Sequence, residues 1–118
     1  MEQYYTAFHL SRNDDKLGHG DGRNIVLGET LSISETPSLC NTGLHGSVSI
    51  IDCLGYASGS HLWLTEIWGN VKTINDKLCG KNRKAIKQYG DVLLLIVEFA
   101  KWCADRAAKS AKSAAKAA

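Results

Sequence analysis

Residues 62–68, LWLTEIW, constrain the fold more than any other stretch of the chain. Leu62, Leu64, Glu66 and Trp68 alternate with Trp63, Thr65 and Ile67, the period-two pattern of a β-strand. Large apolar groups fall on both sides of that alternation, so the strand must be central in its sheet and covered on both faces. A chain of 118 residues has room for one domain around such a strand. The expected architecture is therefore α+β: a small mixed or antiparallel sheet with one short helix and a long C-terminal helix. Residues 1–107 form the domain, and residues 108–118 a Lys/Ala-rich tail that is helical or frayed.

Shorter signals supply the remaining elements. Residues 4–10 read as a first strand, 25–27 as a short one, and 30–34 as a half-buried strand in which Leu31 and Ile33 alternate with polar residues. Residues 71–74 and 84–89 are two further strands, the second also compatible with a helix, separated by a polar connection over 75–83. A loop over 39–46 ends in Gly-Leu-His-Gly. Ser47 then caps a helix running to about residue 57, whose buried face is Ile50, Ile51, Leu54 and Ala57, with Gly59 as a left-handed cap just beyond it. Near the C-terminus Asp91 can cap a helix in which Val92, Leu95, Ile96, Phe99, Trp102, Cys103 and Arg106 recur at spacings of three and four. The closing AAKSAKSAAKAA can prolong that helix, but it carries nothing large to bury.

Composition and cysteine spacing narrow the function classes. Apolar residues make up 44% and charged residues 22%, the balance of a folded domain rather than a disordered chain. The longest aliphatic run, 92–97, is far short of the roughly 20 residues needed to cross a bilayer. Residues 1–10, MEQYYTAFHL, lack a basic start followed by an apolar stretch, so a cytoplasmic location is expected. Cys40, Cys53, Cys79 and Cys103 form no C-x-x-C pair, which argues against a metal site and for reduced core thiols.

Charge is unevenly spread. Residues 1–66 carry three bases against eight acids, a net −5, whereas residues 67–118 carry eleven bases against four acids, a net +7. The run Lys72, Lys77, Lys81, Arg83, Lys84, Lys87 is interrupted only by Asp76. Such a face can meet an acidic partner or simply be solvated. No helix-turn-helix or RNA-binding aromatic signature accompanies it, so nucleic-acid binding would rest on charge alone, unsupported by any motif.

Several side chains are candidates for chemistry. GHGDGR, residues 18–23, has the glycines of a phosphate loop, but a strand pattern follows it and a turn is the plainer reading; Asp21 and Arg23 would reach a ligand or pair with each other. His9, between Phe8 and Leu10, is either a structural residue or a ligand-binding one. His45, between two glycines at an expected helix start, can add a hydrogen bond to an anion held there. Glu66 within an apolar strand needs a partner, a task or a solvent-facing edge.

The ordered set AFHL, DGR, GET, GLHGS, IDCLGYA, DKL and EFAKWCAD resembles a family of small phage- and prophage-encoded proteins whose hallmark is Gly-Leu-His-Ala-Ser leading into a helix with Asp and Tyr-Ala, then Asp-Lys. Those positions are Gly43, Leu44, His45 and Ser47, then Asp52, Tyr56 and Ala57, then Asp76 and Lys77, with Gly46 where the family usually has Ala. The resemblance implies action inside a bacterial host cell, by binding and inhibiting a host or defence protein in the manner of an anti-CRISPR inhibitor, without cofactor. Trp63 and Trp68 would then be aromatic anchors, and His45, Ser47, Asp76, Lys77, Lys81, Arg83 and Lys84 the binding residues. The arrangement is also similar to ADP-ribosyltransferase folds, which would make His9, Tyr56 and Glu66 a catalytic set acting on NAD.

Overall fold

In the computed structural model, residues 2–17, 21–38, 44–75 and 77–117 are described. The elements are β1 (Tyr5–Ser11), β2 (Thr30–Ser32), β3 (Leu44–Gly46), α1 (Ile50–Leu54), β4 (His61–Trp68), β5 (Lys72–Ile74), β6 (Lys77–Gly80), β7 (Asn82–Asp91) and α2 (Leu93–Ala117). They build two antiparallel sheets, one in the order β1-β4-β7-β2 and a smaller one in the order β3-β6-β5, so the α+β expectation holds.

The LWLTEIW strand lies inside the larger sheet, between β1 and β7, as its two apolar faces require. Trp63, Thr65 and Ile67 share one face with Ala7, Ala85 and Leu31, and the smaller sheet covers them through Leu44 and Leu78. Two polar groups buried there are satisfied internally: the Trp63 indole donates to Ser11 Oγ at 3.0 Å, and Thr65 Oγ1 donates to the Ala7 carbonyl at 2.8 Å. On the opposite face Leu10 and Leu62 pack on Cys53 of α1 and on Val92 and Ile96 at the start of α2. The chain passes between the two layers at Ser47, whose backbone pairs with Phe8 on the outer edge of β1 (2.6 and 2.9 Å).

Several elements differ from the sequence reading. Residues 44–46 are a strand rather than the end of a loop. Residues 77–80 of the expected polar connection form the middle strand of the smaller sheet, with Leu78, Cys79 and Gly80 buried. Residues 25–27 form no strand; Ile25 is buried by a backbone bond to Asp15, and Val26 opens a turn at Gly28. Ser49, not Ser47, caps α1, accepting from the Ile51 amide at 3.2 Å. That helix buries Cys53 and leaves Ile50 and Ile51 exposed. Gly59 serves a close approach rather than a left-handed cap, since a Cβ there would lie 2.5 Å from the Ser11 carbonyl. Residues 84–89 lie in a strand, and the Gly69-Asn70 pair turns with positive φ as its residues favour.

The Asp91 carboxylate accepts from the Leu93 amide at 2.9 Å, and α2 continues through the Lys/Ala tail to Ala117. Its expected inward stripe is only partly covered. Leu95, Trp102 and Cys103 are exposed, so Cys103 is not a core thiol, whereas Cys53 and Cys79 are buried. Cys40 lies outside the described residues.

Candidate functional site

Arg83 is the least expected residue of the structure. Alternation along β7 puts it on the same face as Ala85, opposite Leu31 of β2 and Ile67 of β4, so the guanidinium is driven between the sheets and the residue is 3% exposed. Nη1 donates to the His45 carbonyl at 2.8 Å; Nη2 is buried and makes no hydrogen bond. Burial lowers its pKa to about 10, Asp21 pulling it up and Arg23 down, so the group stays cationic at neutral pH. Asp21 does not bond to it. Both Asp21 oxygens are held by Arg23, at 2.8 Å through Nε and 3.0 Å through Nη2, the internal pairing that the GHGDGR segment allowed. Residues 18–20 of that segment lie outside the described residues.

His9 projects from β1 onto this same face, across from Trp63. Burial holds its pKa well below the ordinary imidazole value, and the positive groups at Arg83 and His45 push the same way. The smaller sheet thus brings the His45 carbonyl to Arg83, whereas alternation along β3 sends the His45 side chain to the face opposite Leu44 and Gly46, away from the larger sheet. His9 shares the inter-sheet face with the guanidinium, and among the described residues no carboxylate is hydrogen-bonded to that guanidinium.

The other candidate residues are scattered. Ser47 is buried at the β1 edge with its backbone engaged, and α1 starts three residues later, so no helix terminus meets His45. Lys77 Nζ sits 4.6 Å above the Tyr56 ring. Lys81 lies in the β6–β7 connection, its amide donating to Gly69 and its carbonyl accepting from Ile33. Lys84 is on the face opposite Arg83, across from Glu66. The basic patch of Lys81, Arg83 and Lys84 is therefore divided, with Arg83 in the interior. Asp76 lies outside the described residues.

The NAD-binding trio does not assemble either: Glu66 pairs with Thr6 and His9 with Trp63, an odd offset that sends Glu66 and His9 to opposite faces of the sheet. Of the two tryptophans expected as anchors, Trp63 is core and Trp68 is half-buried beside Tyr4, with ring centroids 5.0 Å apart.

A second feature lies at the end of the larger sheet. Along α2, Leu94 is 82%, Leu95 68% and Trp102 55% exposed. Phe99 stacks on Trp102 at 6.1 Å and the Arg106 guanidinium lies 5.0 Å over the same indole. Beside this face runs an open groove of about 900 Å³, with Ile96, Phe99 and Cys103 on one bank and Leu54, Ser58 and the Arg12–Asp14 ion pair on the other. The signal was in the sequence: residues 93–97, LLLIV, are apolar all round the helix, more than a single inward stripe can bury.

Among the described residues no group of His, Cys, Asp or Glu has the placement to hold a metal ion, and no helix is long and apolar enough to cross a membrane. Compared with family models, curated proteins and solved structures, the chain matches none.

Proposed function

We propose that this is a small phage-derived binding protein that inhibits a bacterial host or defence protein by docking through α2. The observation that supports this reading is the uncovered apolar band of Leu94, Leu95 and Trp102 beside the groove. Leu93 and Val97 on the same helix are exposed too, and large apolar side chains left in solvent together are what an interaction surface requires. Trp102, already flanked by Phe99 and Arg106, has the character of an anchor. Arg106, Lys109, Lys112 and Lys116 follow Trp102 on the same helix against Asp105 alone, so the partner would offer an apolar segment flanked by acids.

The test is capture of a partner from bacterial lysate by the tagged chain, identified by mass spectrometry, beside Leu95→Glu and Trp102→Ala variants whose folding is checked by circular dichroism. One enriched protein whose affinity falls by about 30-fold or more in Trp102→Ala is the expected outcome. A partner retained equally by both folded variants, or no enriched protein, overturns the reading.

A further inference from the structure

We infer that the buried guanidinium of Arg83, on the same inter-sheet face as His9, is a binding site for one oxyanionic group, a phosphate or a carboxylate, carried by a small ligand. The inference is independent of docking through α2.

The reasoning starts from what an arginine is for in a protein interior. A guanidinium has five N–H donors in a planar fork, and when buried it normally ends on a carboxylate that offsets its desolvation. Arg83 ends on a single backbone carbonyl, through Nη1, and its buried Nη2 has no partner. The carboxylate whose charge it feels, Asp21, is taken by Arg23 through both oxygens. Its neighbours across the sheet, Leu31 and Ile67, are aliphatic and offer no acceptor. The outer edge of the guanidinium, the second Nη1 hydrogen and Nη2, is thus a two-pronged donor in apolar surroundings. That edge matches two oxygens of a carboxylate or phosphate, and low local polarity strengthens the pairing.

The His9 imidazole makes the site selective for charge rather than merely polar. Burial holds the His9 pKa well below the ordinary imidazole value and the charge of Arg83 lowers it further, with a smaller lowering from His45 and with Arg23 and Asp21 paired further out. An anion on Arg83 would cancel the field that suppresses His9 protonation. Binding should therefore draw a proton onto His9, converting a ring nitrogen from acceptor to donor toward the ligand. A purely structural arginine would produce no such linkage.

The experiment uses the full chain with sodium phosphate and with sodium acetate, at ionic strength held constant by chloride, read by thermal unfolding and isothermal titration calorimetry. Wild type should show a saturable rise in Tm with at least one anion. At pH 6.5 it should also take up protons on binding, seen as a heat that varies with the ionisation enthalpy of the buffer. A response to phosphate alone assigns a phosphorylated ligand, to acetate alone a carboxylate ligand, and to both the shared oxyanion chemistry. Arg83→Lys, which keeps the charge but loses the fork, should weaken binding tenfold or more. His9→Gln should still bind but without proton uptake. Should Arg83→Lys fail to fold, the buffer dependence of the wild-type heat decides alone. No saturable response beyond chloride, an equal response in a folded Arg83→Lys, or binding without proton uptake overturns the inference.

Discussion

Replacing Gly46 by Ala tests how closely the two sheets approach. A Cβ at Gly46 would stand 2.8 Å from Ala7 Cβ, 3.0 Å from Ile67 Cδ1 and 3.3 Å from the Phe8 carbonyl. The first contact decides the outcome, because an alanine methyl has no rotamer to escape into and Ala7 is fully buried. Separation could come only from moving β3, which is held by its pairing with β6 and by the Ser47–Phe8 bonds one residue later. Overpacking of this kind costs about 1–3 kcal/mol. The loss of unfolded-state freedom on Gly→Ala returns about 0.4–1 kcal/mol, since Gly46 does not occupy the positive-φ region. The midpoints of those two ranges leave a net destabilisation of about 1.3 kcal/mol, a Tm drop of about 4–8 °C for a chain of this length. Thermal and urea unfolding followed by circular dichroism measure it. Ala7→Gly in the same chain removes the opposing methyl, so the double variant should be more stable than the sum of the two single changes predicts. A Gly46→Ala protein as stable as wild type, or strictly additive effects in the cycle, would refute the packing argument.

Two further outcomes follow from the same interior. Because the folded-state pKa of His9 lies below its unfolded value, the unfolded chain binds the proton more readily. Its contribution to stability is complete above about pH 6.5, is lost as pH falls through the folded pKa, and does not decline further below that. Urea midpoints measured from pH 7.5 to 4.5 should fall with acid more steeply in wild type than in His9→Gln; equal slopes would contradict the placement of His9. Cys53 has its thiol pushed up to about 11 by burial, against a smaller lowering by the Leu10 backbone, and Cys79 is buried, whereas Cys103 is exposed on α2. Peptide mapping after brief iodoacetamide treatment at pH 8 should find Cys103 alkylated well before Cys53 and Cys79, and the reverse order would be incompatible with the packing of α1.

What could be read in the sequence and what could not divides along one physical line. β1, β4 and α2 declare themselves because each is long enough for its own residues to show a period, and the Asp91 cap and Gly69-Asn70 turn are local chemistry. β3 and β6 have three and four residues, too few to show a period. Leu-His-Gly is a strand only because Lys77–Gly80 lies beside it, and that segment lies there only because β5 and β7 bracket it in the chain. The candidate site has the same character. His9 and Arg83 were each visible, but what joins them is register across β4, and what brings the His45 carbonyl to Arg83 is the closure of one sheet on another. Arg83 looked like surface charge because its neighbours Lys81 and Lys84 are bases.

The alternation of Arg83 and Ala85 against Lys84 is nonetheless in the sequence, and once β7 is known to be a strand it separates the buried arginine from its half-buried neighbour on the other face. Two features then remain that folding alone does not require: a guanidinium left half-satisfied in the interior and a leucine-rich helix left bare. Aliphatic residues between the sheets would be no less stable than that guanidinium, and polar residues along α2 would suit an exposed helix better. The two lie in different layers of the fold, the first under the smaller sheet and the second beyond the end of the larger one. They therefore call for separate explanations, one for a small anion and one for a protein surface.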